Sequence, residues 1–442
     1  MSKPIRRLAA EETWRAAFAG FEAGPAWLMP ERQAAFTRFE KAGLPTPRTE
    51  NWRWSDIHRY LNAPYPPLSG TDAAAAAEAL AEEEQEVKAL LAANPFRDVD
   101  GSLMVFVNGR FVPALSLVME EEGVDVLSLA EAPLPPEWAA LGARGDDALD
   151  LLNLAYATDG ALVRVRAGVK ASIPLVIASI FTGEGHSAAL RHFVRVEAGA
   201  AFDLYEVQIG GGDRVANTVC KVVVEEEAEL DRVQANVTDA QAIHFGTLAA
   251  RVERNGRFRD LAVLTGGRFH RQNDFVDLAG EGAVAEVNSA YLLRGRQHAD
   301  TRLVVNHLVP HGTSRETFKC VMDESARGAF QGKIHVAPGA QKTDGQMAAH
   351  GLLLGEAAEF DAKPELEIYA DDVICAHGAT AGALDEAQLF YLRARGVPLS
   401  QARAMLISAF VAETFDAVTN AAAREGLQAL ATRWLAGGEA SA

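Results

Sequence analysis

Apolar and polar residues alternate along this chain with a period that changes twice, from helical to extended and back. Over Glu11 to Glu22, Trp14, Phe18 and Phe21 recur at spacings of three and four, one face of a helix. Phe36 and Phe39 continue the pattern over Gln33 to Lys41, where Gly43 and Pro45 stop it. The alanine- and glutamate-rich stretch Thr71 to Asn94, with Leu80, Val87, Leu90 and Leu91, predicts a further helix. From Ser102 the period falls to two. SLMVFVNGRFVP is a pair of β-prone runs around Asn108-Gly109, the dipeptide that a type I′ hairpin turn favours. A proline-rich loop (Pro133, Pro135, Pro136) and a short helix, Asp147 to Tyr156, lead into the longest region. From Gly160 to about Ile374 nearly everything is short, valine-rich and punctuated by turns.

That region repeats. VEAGAAFDL from Val196, VEEEAELDRV from Val224, VERNGRFRDL from Val252 and LAGEGAVAEV from Leu278 share one plan of strand, acidic or glycine turn, and new strand. Phe202, Leu230, Phe258 and Val284 recur every 26 to 28 residues, a period that belongs to solenoids. Copies around Gly312, Gly328 and Gly339 lose strict spacing, which a solenoid tolerates because each coil stacks only on its neighbours. The expectation is a right-handed parallel β-helix rather than a sandwich. Phe193, Val194 and Val196, and then Val219, Lys221 and Val223, suggest valines turned inward on successive coils.

After Thr380 the pattern is helical again. A helix from Asp385 to Arg395 ends at Gly396, and Ser400 is placed to cap a second one. That second helix is apolar all round, with Met405, Leu406, Ile407, Phe410, Val411, Phe415 and Val418, so part of it is free to face a partner. A last helix carries Leu427, Leu430, Trp434 and Leu435 before the tail GGEASA, expected to be disordered. The chain thus reads as a helical region (1–100), a β-helix core (101–380) and a C-terminal helical region (381–442), mainly β with helical ends.

Composition narrows the partners. With 60 acidic against 42 basic residues the formal charge is −18, which repels nucleic acid and anionic membrane. Neither an apolar run long enough to span a bilayer nor a signal-peptide core is apparent, so the expected compartment is the cytoplasm. Cys220, Cys320 and Cys375 are far apart and support neither a disulfide framework nor a self-contained metal motif. Gly328 to Ile334 superficially resembles a phosphate loop, but it is one residue short and lacks the magnesium-binding hydroxyl. The chain is therefore expected not to be an enzyme with its own nucleotide site. Trp52, Trp54, Ile57 and Tyr60 read as an aromatic anchor for a loop.

Chemistry concentrates between Glu367 and Gly396. Cys375 and His377, two apart on a short strand, put a soft and a borderline metal ligand on one face. Two donors do not close a metal site, so any site here needs groups from elsewhere, and none is expected to be bound by this chain alone. Asp371-Asp372 reads as a turn.

ICAHGATAGALDEAQLFYLRARGV (Ile374 to Val397), with KPELEIYADDV before it, is similar to the C-terminal signature of the SufB/SufD family of iron–sulfur cluster assembly proteins. HGTSRETFKCVMDESARGAFQGKIHVAPGAQKTDG (from His311), LNLAYATDGALVRVRAGV (from Leu152) and PTPRTENWRWSDI resemble it too, so the likeness spans nearly the whole chain. Gly378 after His377 sets it nearer the SufD-type branch; SufB-type members have an acidic residue there and a cysteine on an earlier strand. The resemblance implies a non-catalytic subunit of the SUF assembly complex. It implies a SufB-like subunit paired through the β-helices and a SufC-type ABC ATPase on the C-terminal helices, here at Met405, Leu406, Phe410 and Phe415. It also implies that an iron–sulfur cluster forms transiently at the subunit interface, with His377 and, less directly, Cys375 taking part. Whether a flavin joins the complex, and whether the isolated chain forms a homodimer, it leaves open. Rival readings are a cytosolic β-helix carbohydrate-active enzyme using Asp344, Asp371 and Asp372, and a purely structural homodimer.

Overall fold

Each valine-rich run of the central region is a strand, and successive strands go alternately to two sheets. The computed structural model describes residues 8–68, 84–132, 142–145 and 147–439. Nineteen strands lie within them, from β1 (Ser102–Val107) to β19 (Ile374–Gly382). Ten form one sheet and nine the other. From β4 (Ala161–Val165) onward every strand is parallel to the strand two before it or two after it, so one strand from each sheet makes a coil. The result is a parallel β-solenoid of about eight turns with helices at both ends.

Stacking explains the repeat. Phe202, Leu230 and Phe258 occupy one register position on consecutive coils. The next position is taken by Ala285, not Val284: the coil is one residue shorter, so Val284 stacks on Arg257 and is only half-buried. Ser314, Gly345 and Cys375 complete the column on longer coils of unequal length, which is why the later copies blur. Inward phase also differs from the sequence expectation on one strand. On β8 (Val215–Val224) Cys220, Val222 and Val224 fill the interior, while Val219, Lys221 and Val223 face outward. Both faces of that strand are covered, so polarity does not alternate cleanly.

The interior is not purely apolar. On β7 (Ala201–Gly210), β9 (Glu229–Thr238) and β11 (Arg257–Leu264), Glu206, Arg232 and Asp260 form a buried charge triad with both Arg–carboxylate distances at 2.7 Å.

The helical ends cover the outer faces of the two sheets. One layer is built by the helices Ala9–Phe18, Met29–Ala42 and Ala148–Tyr156, with Trp14, Phe36, Trp52 and Tyr156 in its core. Trp52 is the anchor expected of it: the Arg271 guanidinium lies 4.4 Å from its ring and pairs with the buried Asp300 at 2.5 Å. The other layer is the helices Leu399–Phe415 and Ala421–Glu439 with Val87 and Phe96. Asn108 (φ 49°) and Gly109 (φ 86°) make the left-handed turn between β1 and β2 (Arg110–Phe111). Three local expectations shift. The stretch Thr71 to Asn94 is helical over 84–92, its earlier part lying outside the described residues, as do Pro133, Pro135 and Pro136. Pro398, not Ser400, stands at the N-cap of the second C-terminal helix, where proline's fixed φ suits the turn. The last helix runs on to Glu439, past Gly437. No helix among the described residues is long and apolar enough to cross a membrane.

Candidate functional site

The solenoid ends without a cap. β18 (Glu359–Ile368) and β19 are the last strands of their sheets, each paired along one edge only. Exposed strand edges invite another chain, and folds blunt those that must stay single. Pro364 does this in the middle of β18, since it has no N–H to offer. β19 carries no proline and is built of small residues around Cys375 and His377: Ala376, Gly378, Ala379, Ala381 and Gly382.

Register places the pair. Cys375 stacks on Gly345 and His377 on Met347, both from β17 (Asp344–Leu353), and Met347 belongs to the interior core. Cys375 and His377 therefore share the interior-facing side of the last coil. Because no coil follows, His377 is exposed to solvent, and its imidazole makes no hydrogen bond among the described residues. Cys375 is half-buried against the core. Burial raises its thiol above the ordinary value; the Gly345 amide opposes this, and Asp344 and Glu316 add to it. It rests as a thiol until a metal or cationic group draws the proton off. In native protein a thiol reagent should modify Cys375 alone, with the buried Cys220 and Cys320 reacting only after denaturation. Modification of all three at one rate would contradict this placement.

One interior group escapes sequence reasoning. Glu316 of β15 (Thr313–Met322) stacks directly beneath Met347, and so two coils beneath His377. It is 2% exposed, and neither carboxylate oxygen accepts a hydrogen bond. Burial pushes its carboxyl up to about 8, against the smaller pull of Ser314 and Arg315. The folded state holds it protonated through neutrality while the unfolded chain ionises it in the ordinary carboxylate range. Wild-type stability is therefore lost as pH rises from that range to about 8. Glu316→Gln should stabilise the protein by about 1–3 kcal/mol, the gain growing between pH 5 and pH 8 in urea titrations. A gain independent of pH would place the carboxyl in water.

Other candidates resolve individually. Asp372 closes a turn, accepting from the Lys342 amide at 2.6 Å and pairing with its side chain. Asp344 is bound by Arg315 at 2.6 Å, so its carboxylate is engaged in an ion pair. Gly332 and Lys333 sit mid-strand on β16 (Arg327–Val336), with Lys333 paired to Glu367 at 2.9 Å; no phosphate cradle forms there. Among the described residues no three His, Cys, Asp or Glu side chains converge as a metal group.

The C-terminal helices divide the docking candidates. Phe415, at 1% exposure, packs into the wall of the solenoid, and Phe410 is half-buried over Lys319. Leu406 is half-buried and Met405 exposed at 47%. The apolar surface left open adds residues that the sequence reading passed over. Phe390 (73% exposed) and Tyr391 lie on the helix Glu386–Arg393, and Leu399 begins the next. Phe390 and Leu399 flank a depression of about 450 Å³ with Val397 and Pro398. The adjacent aromatics Phe390 and Tyr391 on a helix too short to bury both were the available signal.

A family model described as SUF system FeS cluster assembly, SufBD core domain, matches residues 179–410, and the SufBD protein N-terminal region matches 21–177. The chain belongs to the SufBD family. Iron-sulfur cluster assembly protein SufD of Escherichia coli (strain K12) is 30% identical over 425 residues, covering 95% of this chain and 96% of the relative. SufD of Bacillus subtilis (strain 168) is 24% identical over 92% of this SufBD-family chain and 93% of its own. A SufBD family protein of Synechocystis sp. is 29% identical over 88% and 87%. This parallel β-solenoid is thus a SufBD-family iron–sulfur cluster assembly protein.

Proposed function

We propose that this chain is a non-catalytic, SufD-like scaffold subunit of the cytoplasmic SUF assembly complex. It pairs with a SufB-like subunit through the open β18–β19 end, and the iron–sulfur cluster is cargo assembled at that interface with His377 as this chain's main contribution. The chain holds no resident cofactor of its own, and a flavin, where one joins, belongs to the assembled complex. The observation that carries the reading is the unprotected edge of β19, which offers unpaired backbone groups beside an exposed imidazole and a half-buried thiol. A second chain brought to that edge would supply the donors that two ligands lack. The same edge also permits self-pairing of the isolated chain, so a homodimer is the expected state without the partner.

The C-terminal helices carry the ATPase in this reading. Phe390, Tyr391, Leu399 and Met405 are exposed apolar positions on these two helices, and buried aromatic anchors dominate protein interfaces. Phe390→Asp or Met405→Asp should weaken binding of the SufC-type ATPase at least tenfold, about 1.4 kcal/mol, in calorimetric titration. Binding at wild-type strength by a folded variant would remove these helices from the reading. Phe415→Asp is unsuited to the test, because it would disrupt the subunit's own packing.

A further inference from the structure

Lys319 leaves β15 on the outer face of its sheet, beneath the helix Leu399–Phe415, and is 5% exposed. Its ammonium donates to the Phe410 carbonyl at 2.8 Å, pairs with Glu413 and lies 5.0 Å from the centre of the Phe410 ring. A buried ammonium depends on such partners, since losing them leaves a charge without water or counter-ion. Register then sets His350 of β17 beside Lys319, and Thr380 of β19 beside His350. His350 Nδ1 and Thr380 Oγ1 are 2.8 Å apart. Thr380 lies on the same strand as His377, on its opposite face. From Thr380 the chain runs out through both docking helices and returns at Phe410 and Glu413 to Lys319. Lys319 and His350 thus clasp both ends of the segment that bears the exposed apolar surface.

We propose that Lys319 and His350 are positioning residues that couple the docking helices to the strand carrying His377. The proposal rests on the scaffold reading above and names the contacts through which an ATPase acts on the open end. Displacing the helix Leu399–Phe415 withdraws the Phe410 carbonyl and Glu413 from Lys319, which must then turn to water. His350 sits in the field of Lys319 and Glu413, so its contact with Thr380 changes with theirs. β19 is paired along one edge only and yields first. Lys319 held by the helix and Lys319 turned to solvent are the two discrete arrangements that coupling requires.

Hydrogen exchange over residues 374–382, read in the full chain with and without bound SufC-type ATPase and ATP, tests this. In the wild type, ATPase and ATP should change exchange of that segment by at least about fivefold. Lys319→Met and His350→Ala should each reduce the change below about twofold with docking affinity retained, while His350→Gln, which keeps a hydrogen-bonding group toward Thr380, should preserve it. A wild-type response in folded Lys319→Met overturns the coupling. If that variant fails to fold, His350→Ala decides, a retained response overturning the proposal and a lost one upholding it. ATPase binding with unaltered exchange in the wild type overturns the coupling and leaves the scaffold reading standing; absence of ATPase binding overturns both.

Discussion

Replacing His377 with alanine should abolish iron–sulfur cluster maturation in cells while leaving the subunit folded and its complex assembled. The two halves of that expectation have separate grounds. His377 is exposed, its imidazole makes no hydrogen bond among the described residues and it stacks only on Met347, so its removal belongs with surface substitutions. Such changes alter stability by about 0.5 kcal/mol or less. Function is another matter, because the imidazole is the better-exposed of the two side chains on β19 suited to a soft or borderline metal, and a two-donor half-site has no redundancy. The measurement is the activity of a cluster-dependent enzyme in cells relying on this system, alongside the circular dichroism of the purified variant. Normal maturation would favour the purely structural reading. Cys375→Ala should cause a smaller loss, since its thiol is half-buried and held protonated.

Arg232→Met should be the most destabilising single change in the interior, costing about 3–5 kcal/mol. The guanidinium lies between Glu206 and Asp260 at 2.7 Å from each and also donates to Gln234 at 2.9 Å. Burial would raise the Glu206 carboxyl, but Arg232 outweighs it and holds Glu206 below the ordinary carboxylate range; Asp260 stays above its own because burial prevails there. Arg232–Glu206 is therefore the working ion pair. Methionine fills similar volume and strands both carboxylates in the core, so the urea midpoint should fall sharply at pH 7 and less at low pH, where protonation relieves them. A variant as stable as the wild type would mean that water reaches the triad.

Much of this architecture was legible because a solenoid writes its period into the chain. Phe202, Leu230 and Phe258 recur as they must when one coil stacks on the next. The reading failed where two faces are buried at once. Val219, Lys221 and Val223 face outward, against the expectation from the sequence, because the outer face of β8 is itself covered and shows no polar alternation. The slip at Val284 came from a shorter coil, a change no single repeat reveals. At the open end, Cys375 and His377 were readable as a pair because residues two apart on a strand share a face. Glu316 was not, since its place beneath them depends on register across two coils. Likewise the helix Leu399–Phe415 is apolar all round, and nothing in its pattern told Phe415, turned inward, from Met405, turned out.

The account's central claim is that this SufBD-family chain works as one half of a scaffold, completed at β19 and driven from its C-terminal helices. Its most direct test is the composition of the complex recovered with an affinity-tagged copy of the chain from its own host under anaerobic conditions. The account predicts a second, SufB-like chain and an ABC-type ATPase in stoichiometric amounts. Recovery of the chain alone, or only as a pair with itself, would contradict it.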